Sequence, residues 1–126
     1  MKALIVSGSP RLRTAWRDMA RLAGVDGVDA GTHEEAVAVR RRTGPIDVAL
    51  VDWDADPFAA ARLVVRLRRE DPVSPLCVWV VTSGLDAISL IQAFASGADD
   101  LLVTPFSAQA LARKLHGADL VRSDCA

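Results

Sequence analysis

The stretch Ile46, Val48, Ala49, Leu50, Val51 constrains the fold of this chain more than any other. Its apolar residues are nearly consecutive, so a strand built from them presents apolar side chains on both faces. Only a central strand covered from both sides tolerates that pattern. Four further apolar runs are separated from it, and from one another, by helical patterns. Ala3–Val6 is the first, ended by Gly8 and Pro10, and a helix is expected from about Arg11 to Ala23 with Leu12, Trp16, Met19 or Ala20, and Ala23 at helical spacing. Val25–Ala30 reads as a weaker strand broken by glycine. His33–Arg42 reads as a helix with Thr32 as N-cap and Gly44-Pro45 as its stop. After the strand Asp47–Val51, Pro57 suits the first turn of a helix running to about Arg69. Expected next are a strand at Leu76–Val81, a helix over about Asp86–Ser96, a strand at Leu101–Val103, and a helix capped by Ser107 that ends near Gly117. Strict alternation of strand and helix implies an α/β fold, a doubly wound five-stranded parallel sheet with helices on both faces. Residues 1–118 form the expected domain and 119–126 a polar C-terminal tail.

Composition narrows the function. A chain of 126 residues can bury a real core, and a net charge of −1 gives no electrostatic case for nucleic acid or an anionic membrane. The run Arg40-Arg41-Arg42 reads as a solvated helix end. Two cysteines, Cys77 in an apolar strand and Cys125 near the end, make no disulfide framework. No apolar stretch is long enough for a signal peptide or a membrane span, so the expected location is the cytoplasm. His33 and His116 lack partners at metal-ligand spacing, which argues against zinc. No Gly-x-Ser-x-Gly, phosphate-binding Walker loop or Cys-x-x-Cys is present, so neither an enzyme nor a cofactor or metal is expected. Trp16, Trp53 and Trp79 are too scattered to form a stacking platform for single-stranded nucleic acid. Trp79 is expected in the core, and Trp53 over the strand-end pocket.

Ligands of doubly wound sheets bind beyond the carboxyl ends of the strands, where Ser7, Asp52, Thr82 and Thr104 fall. The stretch "SGSPR" after the first strand opens a helix, and helix N-termini attract phosphate. It resembles the phosphate loop of flavodoxin-like FMN reductases. Of the residues that follow, Leu12 to Ala15, only Thr14 fits that pattern, and no loop after Val51 is long enough to hold a flavin ring. A second resemblance covers almost the whole chain. "IDVALVDWDAD", "VWVVTSG" and "SGADDLLVTPFSAQALARKL" resemble the third strand, fourth strand and closing segment of the receiver domains of bacterial two-component response regulators. The resemblance implies the flavodoxin-like receiver fold, with Asp52 at the phosphoacceptor position, Thr82 at the hydroxyl switch position and a cis Thr104–Pro105 bond.

The departures from that family pattern matter as much. Ser7 and Gly8 stand where the family has its Mg²⁺-binding acidic pair, Thr104 where it has a lysine, and Leu101 where it has a switch aromatic. Trp53-Asp54-Ala55-Asp56-Pro57 replaces the usual loop after the phosphoacceptor. Phosphorylating a carboxylate crowds negative charge at one strand end, and the protein's help is mainly a metal and a cation. Mg²⁺ relies on carboxylates to hold it. Losing a single such group typically costs about 3–4 kcal/mol in the transition state. Asp54 and Asp56 are expected to face away, and a positive φ at Gly8 would make a side chain there costly.

The expectation is therefore an atypical receiver, a pseudo-receiver acting as a signalling protein-interaction module without conventional aspartyl phosphorylation. The main alternative is a working phosphoacceptor, phosphorylated on Asp52 by a histidine kinase; an FMN binder comes third. Expected partners are an output domain, a kinase or another signalling protein, or a second copy docked through the fourth helix, fifth strand and fifth helix. No charge lies between Asp86 and Asp99. On that helix Ala87, Ile91 and Phe94 are expected to face the core, with Ile88 and Leu90 on its flanks and Ser89, Gln92, Ala93 and Ser96 outward. Leu90, Ala93, Leu101 and Arg113 are the expected interaction residues.

Overall fold

Alternating strands and helices wind into one sheet in the computed structural model, which describes residues 1–69 and 76–125, with side chains described through Gly117. The order is β1 (Lys2–Val6), α1 (Pro10–Leu22), β2 (Asp26–Ala30), α2 (His33–Thr43), β3 (Val48–Asp52), α3 (Pro57–Arg69), β4 (Cys77–Thr82), α4 (Ala87–Ser96), β5 (Asp100–Val103) and α5 (Ala108–Cys125). The five strands are parallel in the order β2-β1-β3-β4-β5. Reversal of the winding between β1 and β3 puts the carboxyl ends of those two strands side by side, which is where such sheets bind ligands.

Local chemistry sets most helix ends. The Thr32 side chain accepts from the Glu35 amide at 3.1 Å, and the Ser107 hydroxyl accepts from the Ala110 amide at 3.0 Å. Gly44 and Gly97, with φ of 82° and 116°, terminate α2 and α4 in backbone that side chains avoid. Gly117 does not adopt a positive φ, so it is no stop, and α5 runs past the expected end near Gly117 to Cys125. Of the expected tail, 119–126, the side chains lie outside the described residues.

The pleat of β3 sorts the core. Val48 and Leu50 pack with Ala3, Ile5, Trp79 and Leu111 beneath α1 and α5; Ala49 and Val51 pack with Leu4, Leu63, Val64 and Val80 beneath α2 and α3. Each fully buried leucine among them is worth about 1.5–3 kcal/mol. Trp79 is core, as expected, with Lys114 Nζ 5.4 Å from its ring centroid. Trp53 corrects the expectation that it covers the pocket. Its amide donates to Val81 O at 3.0 Å, prolonging the β3–β4 ladder by one residue, so its side chain follows the alternation of Ala49 and Val51 into the core. Its Nε1 is buried there without a hydrogen-bond partner.

Helix α4 corrects a second expectation. Ala93 is fully buried and Leu90 half-buried, whereas Ala87 is exposed and Ile88, Ile91 and Phe94 are 70%, 68% and 44% exposed. An almost uniformly apolar helix has no periodic stripe to orient it. Close approach decides instead, and the small Ala93 seats the helix beside α3. Arg68 fixes this end of the fold. Its Nε donates to Gly97 O at 2.8 Å, and its terminal nitrogens donate to Leu76 O and to the Asp99 carboxylate.

Candidate functional site at the carboxyl ends of the strands

Strand ends β1 and β3 bring Ser7 and Asp52 together. The Ser7 hydroxyl donates to Asp52 Oδ2 at 2.9 Å and accepts from the Ser9 amide at 3.1 Å. Ser7 is buried, its amide bonded to Ala30 O and its carbonyl oxygen accepting from Arg13 Nη1 at 2.7 Å. Ser9 caps α1, accepting from the Leu12 amide, with Pro10 at the first helical position. Two amides that a phosphate loop would aim at its anion, those of Ser9 and Leu12, are therefore already engaged within "SGSPR". Gly8 has no positive φ, and a Cβ added to it would lie 4.0 Å from its nearest neighbour, Gly31 O. The backbone leaves room for a side chain there, against the expected cost.

A second corner forms between β3 and β4. Thr82, at the end of β4, is buried, and its hydroxyl donates to Asp54 Oδ1 at 2.6 Å. The Ser83 amide and hydroxyl donate to Asp54 Oδ2 at 2.8 and 2.9 Å. Asp54 therefore turns back onto β4 and does not face away. Partial burial pushes its carboxyl up, but the bonds from the Thr82 hydroxyl and from Ser83 outweigh this and hold it below its ordinary value. Asp56 faces away as expected, its carboxylate accepting from the Ala59 amide to cap α3. The pair Asp56-Pro57, a cap followed by the preferred first helical residue, was the signal that could have separated the two acids.

Thr104 lies half-buried after β5, its amide donating to Thr82 O at 2.9 Å, and the Thr104–Pro105 bond is cis, as expected. Leu101 is half-buried against the core, and Arg113 is exposed on α5. The structure thus joins Gly8, Asp52 and Thr104 around one cleft, adds Asp54 to it, and ties buried Ser7 to Asp52 and Thr82 to Asp54. Leu90 and Ala93 lie apart from it, turned inward on α4.

Among the described residues neither Asp52 nor Asp54 has a basic partner; Arg13 pairs with Asp29 and Lys114 with Asp100. Nor do three His, Cys, Asp or Glu side chains of the described residues gather as metal ligands. The Mg²⁺ that receivers use fits these residues poorly. Ser7 brings a neutral hydroxyl already bonded to Asp52, and both oxygens of Asp54 are taken by hydrogen bonds. No helix of the described residues is long and apolar enough to cross a membrane.

No family model matches the chain. It is 27% identical over 117 residues to a chemotaxis protein CheY homolog of Campylobacter jejuni, covering 92% of this chain and 90% of that one. It is 24% identical over 116 residues to the chemotaxis protein CheY of Pseudomonas aeruginosa, covering 92% and 94%. Among solved structures, a response regulator receiver domain protein of Clostridium thermocellum superposes with a TM-score of 0.83 at 18% identity, covering 99% and 98%. CheY4 of Vibrio cholerae, also a chemotaxis protein, gives 0.81 at 22% identity, covering 93% and 97%. The five-stranded flavodoxin-like architecture expected from the sequence is the fold of these proteins.

Proposed function

We propose that this chain, a CheY-like response-regulator receiver domain, is a non-enzymatic signalling module that works by binding proteins and not by conventional Mg²⁺-dependent phosphorylation of Asp52. One observation carries the reading: the polar groups at the strand ends are bonded to each other and not poised for a phosphoryl group. Ser7 donates to Asp52, Thr82 donates to Asp54, and no basic side chain of the described residues pairs with Asp52. An aspartyl phosphate formed here would develop its charge beside a second carboxylate, without the cation that offsets it.

The binding surface is the outer face of α4, with β5 and α5 beside it. Ile88, Ile91 and Phe94 stand in solvent on a helix with no charge between Asp86 and Asp99, and Val103 and Arg113 are exposed on the next two elements. A helix that only covers a sheet keeps a charged outer face. An apolar centre with polar residues around it has the anatomy of an interface. The expected occupant is an output domain, a kinase, another signalling protein or a second copy of the chain. These outward residues replace Leu90 and Ala93 as the contacts.

The test is intact-mass measurement after incubation with Mg²⁺ and a small phosphodonor. Wild type is expected to gain no phosphoryl group. The triple variant Ser7→Asp, Gly8→Asp, Thr104→Lys, which the open space at Gly8 accommodates, is expected to become labelled at Asp52. Wild-type labelling that Asp52→Asn abolishes would establish the working phosphoacceptor instead.

A further inference from the structure

Beside Asp52 the fold leaves a cleft of about 700 Å³ between α1 and the loop after β5. Its size lies within the range of small-molecule sites. The walls are apolar, from Leu12, Trp16 and Met19 on α1, Val81 on β4 and Phe106 after the cis proline. The rings of Trp16 and Phe106 pack at a tilt, 6.5 Å between centroids, so two aromatic groups flank the same space. Asp52 and Asp54 supply its acidic groups, and no lysine or arginine among the described residues lines it. The bonds to Asp54 occupy both its oxygens, whereas Asp52 accepts one, on Oδ2 from Ser7. Thr104, short and neutral, also lines it.

We propose that this cleft is a binding site for a small organic amine, a protonated nitrogen carried on an aromatic or aliphatic body. Apolar walls select the body and exclude water from it. Asp52 receives the ammonium through its open oxygen, and the apolar side chains beside it, Trp16 and Phe106 among them, receive the body. Anions are disfavoured, because two carboxylates line the space with no basic group of the described residues to offset them. A neutral ligand of the same shape would leave the Asp52 charge without a counterpart. A hydrated metal ion would gain nothing from the apolar walls. Bound there, an amine touches α1 and the β5–α5 connection together, which gives a protein-binding module a chemical input. The inference rests on the reading that Asp52 is not claimed by a phosphoryl group and metal.

The test is calorimetric titration of the folded full chain at low salt with phenethylamine, tryptamine and cyclohexylmethylamine, with neutral 2-phenylethanol and Mg²⁺ alone as comparisons. At least one amine is expected to saturate with a Kd below about 1 mM. Binding is expected to weaken about tenfold or more in Asp52→Asn, in Thr104→Lys, which brings a competing ammonium, and for the alcohol in place of the amine. Circular dichroism establishes that each variant is folded, and Ala15→Leu, which narrows the cleft without touching its charge, provides a second loss of binding. The proposal is overturned if none of the three amines saturates by about 10 mM. Equal binding of amine and alcohol, indifferent to Asp52→Asn, also overturns it. So does saturable binding of Mg²⁺ alone that depends on Asp52 and displaces the amine series. Phosphodonor labelling of wild type is a separate measurement, so failure of the phosphorylation reading and failure of the amine site are told apart.

Discussion

Two carboxylates at opposite ends of the sheet, Asp99 and Asp52, meet opposite treatment. Asp99, just before β5, accepts from the Val78 amide at 2.8 Å and from the Arg68 guanidinium, while its own amide donates to Val78 O at 2.7 Å. Its neighbour Asp100 pairs with Lys114 at 2.6 Å. Asp52, at the end of β3, has one hydroxyl for a partner among the described residues. A satisfied charge-assisted network holds chain segments together. A carboxylate left short of partners contributes little to stability and remains free to meet something else. The amino-terminal edge of this sheet holds its carboxylates in ion pairs, whereas at the carboxyl-terminal edge Asp52 keeps one oxygen open beside a satisfied Asp54.

That contrast makes the two ends separable by mutation. The largest effect is expected at the held end. Arg68→Ala removes donors to Gly97 O, Leu76 O and Asp99 at once and is expected to cost about 2–3 kcal/mol, read as a lower urea midpoint at unchanged slope. A loss no greater than that of an ordinary surface substitution would erase the distinction between the ends.

Asp54 tests the middle ground, a satisfied carboxylate at the open end. Its folded-state pKa is depressed, so its stabilisation is present above the unfolded value and is lost as pH falls through the folded one. Asp54→Asn is expected to lower the melting temperature at pH 7 and at pH 5, with the gap from wild type closing below about pH 4. A gap that persists unchanged at pH 3 would show that the bonds from Thr82 and Ser83 do not depend on the charge. The smallest effect is expected at Asp52. Asp52→Asn is predicted to shift unfolding stability by less than about 0.5 kcal/mol, measured by urea titration. A loss comparable to that of Arg68→Ala would mean that the Ser7–Asp52 bond is a structural clamp.

The sequence by itself determined the alternation of elements, because its signals act within a few residues. Thr32 and Ser107 cap their helices, Pro57 opens α3, Gly44 and Gly97 end theirs, and Val48–Val51 carries apolar groups to both faces of the sheet. It also placed Ser7, Asp52, Thr82 and Thr104 at strand ends, since the ends of parallel strands follow from where the apolar runs stop. What only the tertiary structure decided concerns groups whose local pattern is degenerate. The apolar residues of α4 spell several possible stripes, and the seat beside α3 chose Ala93 and Leu90, leaving Ile88 and Ile91 in solvent. Trp53 was drawn inward by an amide bond to Val81, and Asp54 was captured by a hydroxyl 28 positions away on Thr82. Gly117 reads as a stop, yet the helix passes through it. In α4, Trp53 and Asp54, the free energy that decides the outcome lies in contacts between segments remote in the chain, and no window of neighbouring residues contains it.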